Sequence, residues 1–314
     1  MIDKTQSLVQ GAAVPFTPRG SADLPPRPPW PERTRSIMPN RPGTTGGTAA
    51  PESPAEQADA PPNRRSVSWV SPVEAPPGPG ERVNDYDRFA EAYAAENETS
   101  LLNAYYARPA IVDLAGDVAG RRILDAGCGA GPVAEALRER GALVAGFDSS
   151  AGMLALARRR LGDGVVLERA ELGGPLPFAD AGFDDVVASL VLHYLEDWTT
   201  ALAELRRVLK PGGRLIGSVH HPFVQHMTAP PGTDYFATRS TSQWWELGGT
   251  KHLMTFWDRP LHAITDAFTA AGFRIDVISE PAPGPGTRER FPEVFEQKES
   301  GKFLCFLFFV LTKA

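Results

Sequence analysis

Between residues 85 and 314 the apolar positions follow two alternating rhythms. Short apolar runs recur, one ending at Ile123 and Leu124, then Leu143–Phe147, Val165–Leu167, Phe183–Ser189, Arg214–Val219, Phe273–Ser279 and Phe303–Thr312. Runs of this kind predict strands buried on both faces. Between them apolar residues return every three or four positions. Val133, Ala134, Ala136 and Leu137 form one such set, Met153, Leu154, Leu156 and Leu161 a second, and Leu202, Leu205, Val208 and Leu209 a third. A fourth covers His262 to Ala271. These predict amphipathic helices. Ahead of the first run, Phe89, Ala92 and Tyr93, then Leu101, Leu102, Tyr105 and Tyr106, predict further helices. Strands alternating with helices predict an α/β doubly wound sheet with a helical segment before it.

Residues 1 to 80 break both rhythms. They hold 17 of the 30 prolines and show no apolar period. Such a segment cannot bury enough surface to offset its ordering entropy. It reads as a disordered, proline-rich tail, with the folded domain over 81–314. A chain starting near Glu81 is therefore expected to keep its activity. The whole chain is 42% hydrophobic and 22% charged, as a globular protein requires. A net charge of -6 and a pI near 5.6 give no sign of a nucleic-acid or membrane surface. Cys128 and Cys305 make neither a disulfide framework nor a zinc spacing. The N-terminus lacks a signal-peptide core, and Phe303–Leu311 is too short to span a bilayer, so a cytoplasmic location is expected.

The chemistry concentrates in RRILDAGCGAGPVAEALRERGALVAGFDSS, residues 121 to 150. The apolar run stops at Asp125, and glycines follow at 127, 129 and 131. Lacking Cβ, they permit positive φ and a close approach of ligand to backbone. Pro132 stands where a helix would begin, at a position that needs no N–H. Gly141 stops that helix, and the next strand ends at Asp148. A carboxylate at that strand end can accept from a ribose diol. The dinucleotide pattern G-x-G-x-x-G would put Pro132 at its third glycine. Asp125 would repel a pyrophosphate but could hold a cationic amino group, through water or the loop. A cofactor with an amino-acid end and a ribose end fits better.

DAGCGAG resembles the first motif of the class I S-adenosylmethionine-dependent methyltransferases. The likeness runs over about residues 85 to 314. It includes the Tyr86–Tyr93 pair, which is similar to the family's Y-x(6)-Y, then LPF at 176–178, FD at 183–184 and LKPGG at 209–213. It implies a Rossmann-like sheet of seven strands with the last antiparallel, an N-terminal helical cover, and S-adenosylmethionine as cofactor. The resemblance puts Asp125, Gly127, Cys128, Gly129 and Gly131 at its amino-acid end and Asp148 at the ribose, with Ser149 beside it. Met153, Glu171 and Leu172 fall at the adenine. Glu171 stands where aspartate is usual, so its carboxylate is displaced by a methylene. Ser189 closes the fourth strand, and Tyr86 or Tyr93 reaches the cofactor's carboxylate or the substrate.

His193 lies just beyond that strand, and His220 and His221 follow the next. All three are candidate general bases, in that order. Adjacent histidines point in different directions and no third ligand has metal spacing, so no metal is assigned. Residues 224–260 carry Tyr235, Phe236, Trp244, Trp245, Phe256 and Trp257 in a polar setting. They read either as a lid over a flat, apolar substrate or as a satellite core. The function implied is methyl transfer to an O, N or C atom of a small molecule, an apolar or aromatic metabolite of a secondary pathway. Rival readings are another reaction on the same fold, such as cyclisation or decarboxylation, and a non-catalytic cofactor-binding subunit. A homodimer is left open.

Overall fold

The computed structural model describes residues 82–296 and 302–314, and the backbone of residues 70–72. Most of the expected tail lies outside the described residues. Within it, Val70–Pro72 form a strand, β1. Its backbone finds ladder partners in Gln243–Trp245, about 170 residues away. Composition averaged over eighty residues cannot register so short and so remote a pairing.

The main sheet has seven strands: β2 (Arg122–Ala126), β3 (Leu143–Asp148), β4 (Val166–Arg169), β5 (Phe183–Ser189), β6 (Leu209–His220), β9 (Phe273–Ser279) and β10 (Phe306–Lys313). They lie in the order β4-β3-β2-β5-β6-β10-β9. The first five are mutually parallel, and β10 runs antiparallel to both β6 and β9. Neighbouring residues on each strand enter opposite cores. Leu124, Val186, Leu215 and Phe309 join one apolar cluster, and Ile123, Val187, Ile216 and Phe308 join the other. Side chains alternate across a strand, so a sheet covered on both faces needs unbroken apolar runs.

Helices α2 (Arg108–Ala115) and α3 (Pro132–Glu139) cover one face, with Ile111 and Leu137 fully buried. On the other, α5 (Thr199–Val208) and α7 (Leu261–Ala270) bury Leu202, Leu205 and Phe268. The LKPGG turn survives inside β6. Phe183 pairs with Leu209 but Asp185 pairs with Arg214, so the turn residues bulge from the ladder.

At the amino ends of the strands, Asp185 is fully buried and gripped by Arg214 (Nε–Oδ1 2.8 Å) and Arg121 (Nη2–Oδ1 2.8 Å). Burial alone would raise its pKa, but these hydrogen bonds hold it below the usual carboxylate range. The insert forms α6 (Pro222–Thr228) and a hairpin, β7 (Arg239–Leu247) and β8 (Thr250–Asp258), to which β1 adds a third strand. Ahead of the sheet lie a short turn at Tyr86–Arg88, helix α1 (Ala90–Thr99) and a π-helical turn at Asn103–Ala107.

Candidate functional site

A crevice of about 450 Å³ opens at the carboxyl ends of β2, β3, β4 and β5, where the strand order reverses. Gly127, Gly129 and Gly131 have φ of 69°, 54° and 84°. L side chains reach that region at a cost, which is why glycine occupies all three positions. Gly127 is doubly constrained, because a Cβ there would stand 2.5 Å from Val191 Cγ2. Gly129 faces open space in the crevice. Pro132 opens α3 as expected.

Asp148, at the end of β3, accepts from the N–H groups of Gly129 (2.8 Å) and Ser150 (2.9 Å). Burial raises its pKa, the backbone donors lower it, and the net shift is upward. Ser150 caps α4 (Ala151–Leu161) by accepting from Met153 N–H at 3.0 Å. Asp125 is 2% exposed, and its Oδ2 has no hydrogen-bond partner. Burial and then the charge of Asp148 push its pKa up to about 7, against a bond from the Ala134 N–H. Asp185, at the opposite end of the sheet, has two arginines. Among the described residues no cation is bonded to Asp125 or Asp148, and perturbed titrations of that kind concentrate at functional sites.

All twelve residues expected at the cofactor, except Gly131, line the crevice. Tyr86, Asp125, Gly127, Cys128 and Gly129 do so, as do Asp148, Ser149, Met153, Glu171, Leu172 and Ser189. Gly131 instead sets the N-terminus of α3, with Leu161 packed where its Cβ would be. Burial raises the Cys128 thiol pKa, which keeps it protonated and makes it a packing group.

The three histidines stand elsewhere, and none lines the crevice. His193 and His220 stack in parallel, 3.9 Å between centroids, behind Tyr194 and Phe256. Burial holds His193 well below the ordinary histidine range and takes His220 down to about 4. His221 caps α6 through Nδ1 and bonds Glu280 Oε1 through Nε2 at 2.8 Å. The strand end does carry these side chains, but the stack against Phe256 and the cap on α6 make them packing groups. Among the described residues no group of three or more His, Cys, Asp or Glu could hold a metal ion.

The wall holds residues that the pattern did not single out. Tyr194 follows β5 in a tight turn, and its hydroxyl is hydrogen-bonded to that of Tyr86. Leu190 has φ of 54°, an outlier for leucine, held by its N–H bonding Ser218 O (3.0 Å) and Oγ (3.2 Å). It turns Val191 onto Gly127. At the mouth stand Asn97, Glu98, Asn103 and Arg108, with Arg108 bonding Asn97 Oδ1 at 3.0 Å and Glu98 Oε2 at 3.2 Å. Polar residues spaced through an otherwise aromatic cover segment were the available signal for them.

None of residues 239–258 lines the crevice. Trp245 stacks on Tyr93 (6.1 Å, 9°), and Phe256 lies 5.2 Å from Tyr194. With Leu247, Met254 and Phe89 they form a separate apolar cluster. The hairpin thus braces the tyrosines from behind. Asn84, itself at φ 55°, ties the segment before Tyr86 to β8 through both backbone groups of Thr255, at 2.9 and 2.8 Å.

The donor set fits a nucleoside that carries an amino-acid end. Asp125 offers an orphaned carboxylate oxygen to an ammonium, and Asp148 faces the crevice beside the glycine cradle. A family model described as methyltransferase domain matches residues 124–217. A demethylmenaquinone methyltransferase of Renibacterium salmoninarum is 36% identical over 146 residues, covering 46% of this chain and 61% of that protein. A malonyl-[acyl-carrier protein] O-methyltransferase of Serratia marcescens is 34% identical over 168 residues, 51% of this chain and 56% of that one. The match therefore spans little more than half the length of these relatives. The crystal structure of an S-adenosylmethionine-dependent methyltransferase from Mesorhizobium loti superposes with a TM-score of 0.51 at 28% identity, covering 65% of this chain and 96% of that one. Sheet order, glycine turn and matched segment agree: the segment that builds this crevice is similar to the class I S-adenosylmethionine-dependent methyltransferases.

Proposed function

We propose that this chain transfers a methyl group from S-adenosylmethionine to a small-molecule acceptor. The observation that carries the reading is the pair of carboxylates, Asp125 buried and Asp148 half-buried, beside a glycine cradle and, among the described residues, without a bonded cation. Asp148 accepts from the ribose diol, and Asp125 receives the ammonium. Met153, Glu171 and Leu172 enclose the adenine, and Asn103 and Arg108 meet the carboxylate end. Bound there, the cofactor supplies a methyl group already activated on a sulfonium.

The chain's own part is alignment. The left-handed Leu190 and the tyrosine wall set the acceptor's approach, and the cover keeps water out. Holding two reactants in register contributes on the order of 7–11 kcal/mol in good intramolecular cases. None of the three histidines is given a proton-transfer role, because none reaches the crevice. An apolar or aromatic acceptor is supported by the neutral lining of Tyr86, Tyr93, Leu190, Val191 and Tyr194. The relatives from Renibacterium and Serratia are named for different acceptors, so they do not choose one. Among the described residues no helix is long and apolar enough to cross a membrane.

Calorimetric titration with S-adenosylmethionine tests the site. Replacing Asp148 with alanine is expected to weaken binding at least about tenfold, since charge-assisted hydrogen bonds are worth about 1.5–3 kcal/mol. Unchanged affinity refutes the ribose assignment. Incubation with methyl-labelled cofactor and a small-molecule extract of expressing cells tests the reaction. Label must appear in an extractable product, and bound cofactor with no labelled product defeats methyl transfer.

A further inference from the structure

We propose that the paired hydroxyls of Tyr86 and Tyr194 are the recognition point for the acceptor, and that the acceptor is a neutral, flat molecule presenting a hydroxyl of the phenol or enol class. This rests on the methyl-transfer reading above.

The two side chains come from elements 108 residues apart, the turn before α1 and the turn after β5, yet their hydroxyls bond each other inside the crevice. Each hydroxyl can donate once and accept twice. Tyr86 is also hydrogen-bonded to Tyr93, which meets Asn97, so the pair is the inner end of a chain of phenols whose Tyr194 hydroxyl has a proton and lone pairs to offer a ligand. A ligand hydroxyl placed between them would gain a donor and an acceptor at once. Tyr194 stands four residues beyond the strained Leu190, at the end of β5. That is the part of the rim left over once the glycine turn, Asp148 and Glu171 are assigned to the cofactor.

Charge sorts the crevice into regions. Its acidic and basic side chains are Asp125 and Asp148 under the glycine turn, Glu171 after β4, and Glu98 and Arg108 at the mouth. Around the tyrosine pair the lining is Val83, Asn84, Tyr93, Leu190 and Val191, with no charge. An anionic acceptor would lose hydration there without gaining a partner. The negative charge of Asp148 acts on both tyrosines and would further repel an anion.

The rings are also locked in place. Tyr86 meets Tyr93 edge-on at 5.1 Å and Phe89 at 4.9 Å, while Tyr194 is backed by His193 at 4.8 Å and Phe256 at 5.2 Å. Rigid aromatic walls with a fixed polar point favour a planar ligand. Burial raises the pKa of both phenols, so both remain protonated donors at neutral pH.

The test is calorimetric titration of the full chain, saturated with S-adenosylhomocysteine, with 2-naphthol, 2-methoxynaphthalene and 2-naphthoate. Wild-type protein should bind 2-naphthol about tenfold more tightly than either of the others, as one satisfied hydrogen-bond site allows. In Tyr194→Phe the preference over 2-methoxynaphthalene should fall to about threefold or less. Equal binding of the three probes by wild-type protein overturns the proposal, whether or not the variant folds. So does a preference that survives intact in Tyr194→Phe. Failure of S-adenosylhomocysteine itself to bind would sink the methyl-transfer reading instead. Cofactor binding without naphthol selectivity sinks only the acceptor assignment.

Discussion

The floor of the crevice and its cover are built by different means. The floor is local. Within 24 residues, Asp125 to Asp148, the chain makes a strand end, three left-handed glycines, a helix start and a second strand end. Each step follows from what a residue can do at its own position. The cover is assembled from a distance. Tyr86 and Tyr93 come from the segment before the sheet, Tyr194 from the turn after β5, and Trp245 and Phe256 from the hairpin behind them. Backbone conformation holds the floor and side-chain packing holds the cover.

The sharpest break in that contrast is Gly127→Ala. The new Cβ meets both an unfavourable φ of 69° and Val191 Cγ2 at 2.5 Å. Strain of this order costs about 1–3 kcal/mol and the collision adds to it, so affinity for S-adenosylhomocysteine should drop by roughly a hundredfold. Adding Val191→Ala should recover part of the loss. No recovery would mean that φ alone, not the contact with the strained turn, makes glycine necessary.

A smaller effect is expected from pH. Asp125 titrates near 7 in the free protein, and only its ionised form attracts an ammonium. Affinity for S-adenosylhomocysteine should therefore climb roughly tenfold between pH 6 and pH 8, and Asp125→Asn should bind weakly with a flat profile. Stability of the ligand-free protein runs the other way. A carboxyl whose folded pKa is raised stabilises the fold below its ordinary range and loses that contribution as pH rises through about 7. Ligand-free Asp125→Asn should accordingly gain on wild type in thermal unfolding above pH 7. A wild-type affinity that does not change with pH would remove Asp125 from the ammonium site.

The least effect on the cofactor is expected from Trp245→Ala. Losing the stack on Tyr93 should cost about 1–3 kcal/mol of stability, seen as a lowered midpoint of thermal unfolding, while cofactor affinity moves by less than about threefold. A parallel loss of cofactor affinity would show that floor and cover act as one unit.

The same division explains what could be read before the fold was known. Asp125, Gly127, Gly129 and Asp148 announce themselves because their neighbours in sequence are their neighbours in space. His193, His220 and His221 looked like bases because they follow strand ends, where ligands bind. Which way a side chain turns there depends on the elements packed behind it. Two of these rings face each other in a stack against Phe256, and the third caps α6. Tyr194 carried no local mark at all, since its hydroxyl acquires meaning only from Tyr86. Leu190 could not be suspected either, because leucine rarely takes positive φ and the bonds that hold it come from Ser218 on the neighbouring strand. The aromatic insert was legible as an apolar mass, but its role as a brace required the register that sets Trp245 on Tyr93.

By itself the amino-acid sequence determined the period of each element, the unbroken runs of a doubly covered sheet, and the glycine turn with its two carboxylates. Those depend on backbone sterics and on side-chain alternation, which act between near neighbours. Only the tertiary structure decided which polar groups share the crevice, which histidines are sealed from it, and which tyrosines meet across it. Those outcomes depend on contacts between segments up to about 170 residues apart, which no local pattern contains.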